Sequence, residues 1–384
     1  IDDERGIGIP LEENSVSSEL GSARRDDELV NLSKKRAAAK QAPPPRDGMK
    51  EHSIPFDPQG GRPPLSERDR AAEHRNASKA LQQSKQAVIE LFDDARMGNA
   101  VKPEQMTALV GKISTSIARD PSIFLNIAKL KTKDEYTFLH SVSVCALMIN
   151  LARTMELDET KIQECGMAGL LHDVGKMGVP DHILSKPGSL DDEEFRIVRD
   201  HPVIGHKILS GSADVTEMAL DVCLHHHEKI DGTGYPHKLA GEDISLTSRM
   251  AAICDVYDAV TSQRSYNIPW TSSDALSKMQ SWTGHFDPLI FQLFVESLGI
   301  LPMGTLVRLR NNRLAIVIGE DSTDFTLPKL RTFYSTELRS LIPHYDVAAS
   351  RSDYDHAVIS IEDPLDWEFD DWTDRKSNLL ALTE

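Results

Sequence analysis

Apolar residues recur at helical spacing through most of this chain and give way to alternation only near its end. Residues 1–64, with KKRAAAKQAPPPRD and FDPQGGRPPL, keep no period and read as a disordered arm or linker. From Ser66 to about Met97 strong helix formers run without an internal Gly or Pro, polar early and apolar late. Such a helix suits pairing with its copy in a homodimer, or capping of the core. Pro103 and Pro121 fit the first positions of two further helices. In EYTFLHSVSVCALMINLARTMEL, His140, Val144, Leu147 and Leu151 fall at i, i+4, i+7 and i+11, which puts His140 on the buried stripe. The next helix starts near Asp158, an N-cap by type, and carries Ile162, Cys165, Gly169 and His172 on one face. A loop, KMGVPDHILSKPGSL, and a short helix from Asp191 lead to His201, which precedes Pro202 at a helix start. Helices over Val215–His227, through SLTSRMAAICDVYDAVTS, and near 272–283 and 287–299 close the all-helical part. Beyond Pro302 the period becomes two, and TLVRLRN, RLAIVIGE, DFTLPKLRTFY and, near 357, AVISI read as strands. The stretch Glu362–Asp374, with seven acidic residues and two tryptophans, reads as a solvated or docking tail.

The fold class is therefore mainly α, a helical bundle with a small C-terminal β-rich subdomain. Its parts are an arm (1–64), N-terminal helices (65–120), the bundle that carries the candidate chemistry (121–300), a β-subdomain (301–361) and an acidic tail (362–384).

That chemistry lies between His172 and Asp255, with His140 upstream. A lone histidine on an apolar face is more often a satisfied core residue than a ligand. Two imidazoles pointing inward from consecutive helices are harder to explain, because a core does not bury them without a purpose. In LHHHEKIDGTGYP, His226 stacks over Val222 and Met218, and His227 over Cys223 and Ala219, whereas His225 lies above Asp221. The geometry turns His226 and His227 inward and leaves His225 on the polar side, paired with Asp221 or water. Asp255 has Ala251, Ala252 and Ala259 as helical neighbours, which leaves room for an ion. His140, His172, Asp173, His201, His226, His227 and Asp255 together form the ligand inventory of a two-metal hydrolytic site.

Composition narrows the readings. A net charge of −17 and a pI near 5.3 exclude a general nucleic-acid binder that works through a basic surface, so no DNA partner is expected. Any phosphate ligand must be held locally. The four cysteines show no C-x-x-C spacing and lie among apolar neighbours, as reduced core thiols of a cytoplasmic protein would. No apolar run approaches a membrane span and no signal peptide is visible. The chain opens on Ile1 rather than Met, as a piece of a longer protein would.

With His140, HDVGK (172–176), His201, HHEKIDGTGYP (226–236) and ICDVYDAVTSQRSY (253–266) in order, the chain resembles the HD-GYP phosphodiesterases over roughly residues 125–300. The resemblance implies an HD-superfamily helical bundle, a bimetallic or trimetallic centre, and hydrolysis of cyclic di-GMP to pGpG, in some members on to GMP. It assigns His140, His172, Asp173 and Asp255 to one metal, and His201, His226 and His227 to a second, with Asp173 bridging. Imidazoles and carboxylates suit iron, manganese, nickel or zinc, and the resemblance favours iron or manganese. It also makes Asp173 and Lys176 catalytic, with Lys176 neutralising a non-bridging oxygen and Arg264 clamping a ligand phosphate. Asp231, Gly232, Gly234, Tyr235 and Pro236 form the signature loop, which shapes the pocket and offers a contact to other signalling proteins.

Two departures matter. Where trimetallic members carry a glutamate four residues before the first histidine, this chain has Tyr136, so no third metal is expected. The usual RPY followed by a basic residue is RSYN here, and Asn267 removes a cation. The mechanism implied is in-line attack on phosphorus by a metal-bridging hydroxide. The alternatives are a weakly active or inactive cyclic di-GMP sensor, and an HD hydrolase for another cyclic nucleotide.

Overall fold

The helical periods of the sequence become packed helices because each apolar stripe finds another to bury against. In the computed structural model the described residues are 54–55, 67–97, 103–129, 136–184, 186, 188–212, 215–262, 269–301, 303–320, 327–349 and 355–381. The rest of the arm, Arg264 and Asn267 lie outside the described residues, as does the side chain of Tyr136.

The first helices are α1 (Glu67–Arg96), α2 (Pro103–Arg119), α3 (Pro121–Lys129), α4 (Tyr136–Thr154) and α5 (Glu159–Leu171). Asp158 does cap α5, its side chain accepting from the Lys161 backbone N–H at 3.0 Å. A 3-10 turn (Val174–Gly178) follows, then α6 (Asp181–Leu184), α7 (Asp192–Val198), α8 (His201–Ser210), α9 (Glu217–His225), α10 (Leu246–Thr261), α11 (Ser272–Ser281) and α12 (Pro288–Leu298). Helix α4 is buried along nearly its whole length and packs against α3, α5 and α10, while α5 also meets α2 and α9. Val144, Leu147, Met148, Leu151, Leu170, Leu171 and Ile253 are part of the core between them.

The chain divides into two units: residues 72–269 with 282–294 form a helical one, and 41–71, 270–281 and 295–384 a second. The second unit is built on an antiparallel sheet of β1 (Ile54–Pro55), β2 (Leu306–Leu309), β3 (Arg313–Glu320), β4 (Pro328–Ser335), β5 (Ser340–Ala348) and β6 (Val358–Ile361), in the order β1-β6-β2-β3-β4-β5. Both faces of the sheet are apolar. Val307, Leu309, Ala315, Val317 and Leu330 cluster on one side, and Leu306, Leu314, Ile316 and Phe333 on the other.

Three elements differ from the sequence reading. Strand β5 was not expected: it is an edge strand, largely exposed and interrupted by Pro343, so it carries no alternating burial signal. Ile54–Pro55, inside the presumed arm, pairs with β6 through its backbone, which needs no side-chain pattern. The acidic stretch, read as a solvated or docking tail, is in part packed on the sheet. Trp367, Phe369 and Leu379 are buried against the sheet, and Trp372–Ala381 forms a helix, α13, so a few aligned apolar side chains outweigh the acidic average. Among the described residues no helix is long and apolar enough to cross a membrane.

Candidate metal centre

The candidate ligands come from five helices and the turns that follow two of them. His140 projects from the middle of α4, His172 from the C-cap of α5, His201 from the first position of α8, and Asp255 from the middle of α10. Helix α9 stops at His225, short of the expected His227, so His226 is its C-cap and His227 sits in the following turn. Both are nevertheless buried, with His140, His172, Asp173, His201 and Asp255.

The ring orientations share one logic. His172 donates Nδ1–H to the Gly169 carbonyl at 2.8 Å, His201 to the Val198 carbonyl at 2.7 Å, and His226 to the Val222 carbonyl at 3.0 Å. His140 donates its Nδ1–H to Asp258 Oδ2 at 2.7 Å. Each Nδ1 is thereby fixed as a donor, which leaves the Nε2 atoms turned to a common interior. Asp258 was missed in the sequence, although it stands three residues after Asp255 on the same helix.

Two groups result. Asp173, His201, His226 and His227 bring ligand atoms within 4.8 Å of one another, and so do His140, His172 and Asp255. Asp173 faces both: its Oδ2 is 3.4 Å from His140 Nε2 and 3.3 Å from His172 Nε2, while its Oδ1 is 3.3 Å from His201 Nε2. His201 Nε2 lies 3.4 Å from His226 Nε2 and 3.1 Å from His227 Nε2. Between His201 and His226, whose Nδ1–H groups are both committed to carbonyls, two lone pairs at that spacing repel unless a cation stands between them. His172 Nε2, Asp173 Oδ1 and Asp255 Oδ2 are also buried without a hydrogen-bond partner among the described residues. Orphaned buried acceptors that converge in this way fit metal ions.

The charge is polarised across the centre. Burial works against a charged His140, but Asp173, Asp255 and Asp258 overcome it and raise its pKa to about 10. His172 is opposed by burial too and lifted to about 9 by Asp173 and Asp255. Burial, then His172 and His201, press His226 down to about 3, and burial with His226 holds His227 well below its usual range. Asp173 and Asp255 resist the upward push of burial and stay well below the carboxylate range. Protons on His140 and His172 therefore occupy sites that an incoming ion needs. Loading metal-stripped protein at pH 8 is expected to release about two protons per chain, and apparent affinity should rise with pH until those imidazoles are neutral. Titration calorimetry in buffers of different ionisation enthalpy checks this; release of no protons would contradict it.

Around the centre, Lys176 donates to Asp173 Oδ2 at 2.8 Å from the 3-10 turn. Gly175 beside it allows α8 to approach: a Cβ there would sit 1.9 Å from the His201 carbonyl oxygen and 2.4 Å from the Gly205 nitrogen. The loop Asp231–Pro236 doubles back on the turn that follows α9, and at Gly234 a Cβ would lie 2.5 Å from the Glu228 Cα. Buried Glu228, also missed in the sequence, accepts the backbone N–H groups of His237 and Leu239 at 2.7 and 3.1 Å and holds the loop in place. Tyr235 then packs on His227 with ring centroids 4.8 Å apart. Asp231 and Gly232 form the turn, Asp231 accepting from the Thr233 N–H at 2.9 Å. His225 stays out of the centre, its Nδ1 2.8 Å from Asp221, as its helix face predicts.

Residues 122–290 match the HD domain family. Over 317 residues the chain is 45% identical to a cyclic di-GMP phosphodiesterase of Pseudomonas aeruginosa, which covers 83% of this chain and 75% of that one. It is 37% identical over 169 residues to a 3′3′-cGAMP-specific phosphodiesterase of Vibrio cholerae (44% of this chain, 32% of that one). It is 40% identical over 153 residues to the cyclic di-GMP phosphodiesterase response regulator of Xanthomonas campestris (39% and 40%). The chain spans less than half the length of these last two.

Proposed function

Since the chain belongs to the HD domain family, in its HD-GYP branch, we propose that it is a metal-dependent phosphodiesterase that hydrolyses cyclic di-GMP. The observation that carries the reading is a single buried carboxylate, Asp173, facing two groups of imidazole Nε2 atoms. His140, His172, Asp173 and Asp255 would hold one ion, and His201, His226 and His227, with Asp173 shared, a second. Iron or manganese is preferred, though nickel or zinc suits the same ligands. Bound there, the ions supply an acidified water as nucleophile and positive charge for the phosphoryl oxygens.

The chain's own side chains do the rest. The fixed Nδ1 bonds hold the rings in place before substrate arrives, so little reorganisation is left for the reaction. Lys176, with its ammonium beside Asp173, would take a non-bridging phosphate oxygen. Arg264 is assigned a second phosphate contact by resemblance. Tyr235 covers His227 and keeps water from that flank, while Asp231 on the exposed edge of the loop is available to a signalling partner. Four buried free cysteines suit a cytoplasmic setting.

The product should be mainly pGpG, because Tyr136 removes the carboxylate that would anchor a third ion and Asn267 a cation for the extra terminal phosphate. Protein purified without oxygen and loaded with Fe(II) or Mn(II) is tested by nucleotide chromatography beside metal analysis of the same preparation. Tyr136→Glu should raise metal content and the second-step rate together. Rapid, complete conversion to GMP with two ions bound would sink the product assignment, and tight binding without turnover would make the protein a sensor. The relative named for 3′3′-cGAMP favours a second reading, another cyclic dinucleotide as substrate. Faster turnover of that compound in a side-by-side assay would establish it.

A further inference from the structure

His227 begins a row of ring contacts, the first of them tilted by 34°. On its ring lies Tyr235, and over the Tyr235 ring lies the guanidinium of Arg199, 4.4 Å from the ring centroid. The same guanidinium is 5.8 Å from the ring of Phe195. Arg199 is the C-cap of α7 and stands two residues before His201, so it is tied to the metal centre twice: along the backbone to one candidate ligand and through ring contacts to another. It is half-buried. Among the described residues no ion pair engages it, whereas Arg196, one turn earlier, is paired with Glu193 at 2.8 Å.

An arginine whose face lies on an aromatic ring keeps the N–H donors of its edge for an anion, and the stack has already ordered the side chain. The anion cannot be a neighbouring carboxylate, since none pairs with it among the described residues. Cyclic di-GMP carries two phosphodiesters on one macrocycle. The metal centre and Lys176 meet the one that is cleaved, and the other needs cations of its own, to which Arg264 contributes at most one by resemblance, in a chain of net charge −17. We propose that Arg199 binds the phosphodiester that is not being cleaved, an inference that rests on the substrate read above. Arg199 is then a substrate-positioning residue built into the same column that holds His227.

The test uses the full, metal-loaded chain and the variants Arg199→Gln and Arg199→Lys. Three probes are compared: cyclic di-GMP; bis(p-nitrophenyl) phosphate, which has one phosphodiester and no base; and GpG as a competitor, which has both guanines but one phosphodiester. Arg199→Gln should raise KM for cyclic di-GMP roughly tenfold while kcat changes less than about threefold and metal content holds. Its kcat/KM on the nitrophenyl ester should fall far less, inhibition by GpG should weaken far less, and Arg199→Lys should recover part of the loss. Parallel losses on both substrates together with lost metal would mean that the column only supports His227, and would overturn the proposal. Equal weakening toward GpG and cyclic di-GMP would put Arg199 on a base and overturn it too. The substrate reading fails separately, in the wild-type arm, if the nitrophenyl ester is cleaved and cyclic di-GMP is not.

Discussion

Asp173→Ala is expected to strip the protein of both ions and to lower phosphodiesterase activity by about a thousandfold or more. Asp173 is the carboxylate that faces both ligand groups, with Oδ2 toward His140 and His172 and Oδ1 toward His201. Asp255, the other carboxylate of the centre, has Oδ1 3.0 Å from His140 and reaches His227 only at 3.8 Å. Removing Asp173 leaves imidazoles of both groups facing one another with less negative charge to hold cations, and takes away the carboxylate that accepts from Lys176. Metal analysis of oxygen-free preparations, with nucleotide chromatography, reads both effects. His225→Gln is the matched control, because its ring is committed to Asp221 and to His237 outside the centre. Retention of two ions by the Asp173 variant, or loss of metal by the His225 variant as complete as in a His226 variant, would overturn the assignment.

Gly175→Ala should act as severely without touching a ligand. The new methyl would fall 1.9 Å from the His201 carbonyl oxygen and 2.8 Å from the Gly205 Cα, both backbone atoms that no rotamer change can clear. Helix α8 must back away, and His201, at its first position, goes with it. A loss of about 3 kcal/mol or more is expected, together with metal from the group of His201, His226 and His227. Gly111→Ala in the middle of α2, where a Cβ meets nothing within 4 Å, should instead be neutral or stabilise by about 0.5–1 kcal/mol. Thermal unfolding and metal content of the two variants decide the matter; a Gly175 variant that melts like the wild type would show that the approach can relax cheaply.

The contrast between these two residues marks what a sequence discloses. His140, His172, His226 and His227 were legible because an imidazole at core spacing breaks an apolar stripe, a local pattern. The placing of His225 beside Asp221 followed from the same spacing. Gly175 was read only as part of a motif, since the backbone it must admit, at His201 and Gly205, is fixed by packing between segments far apart in the chain. Glu228 was hidden for the same reason: its partners are loop N–H groups nine and eleven residues on. Asp258 was there to be found, and its role depended on knowing that α4 lies along α10. In the second unit, composition misled. The acidic residues around Trp367 set the average, while the buried aromatics set the structure.

Helix α11 belongs to the sheet-bearing unit, although the segments on either side of it, up to 269 and from 282, belong to the helical one. It packs on β3, and its Ala275, Leu276 and Met279 are buried. The polypeptide thus leaves the catalytic body, visits the sheet, and returns before leaving for good. A stop codon or protease cut near residue 300 would not release a self-contained catalytic cassette; it would strand the apolar face of α11 without its strands. Transplanting this phosphodiesterase into another protein, by an engineer or by recombination, carries the sheet with it.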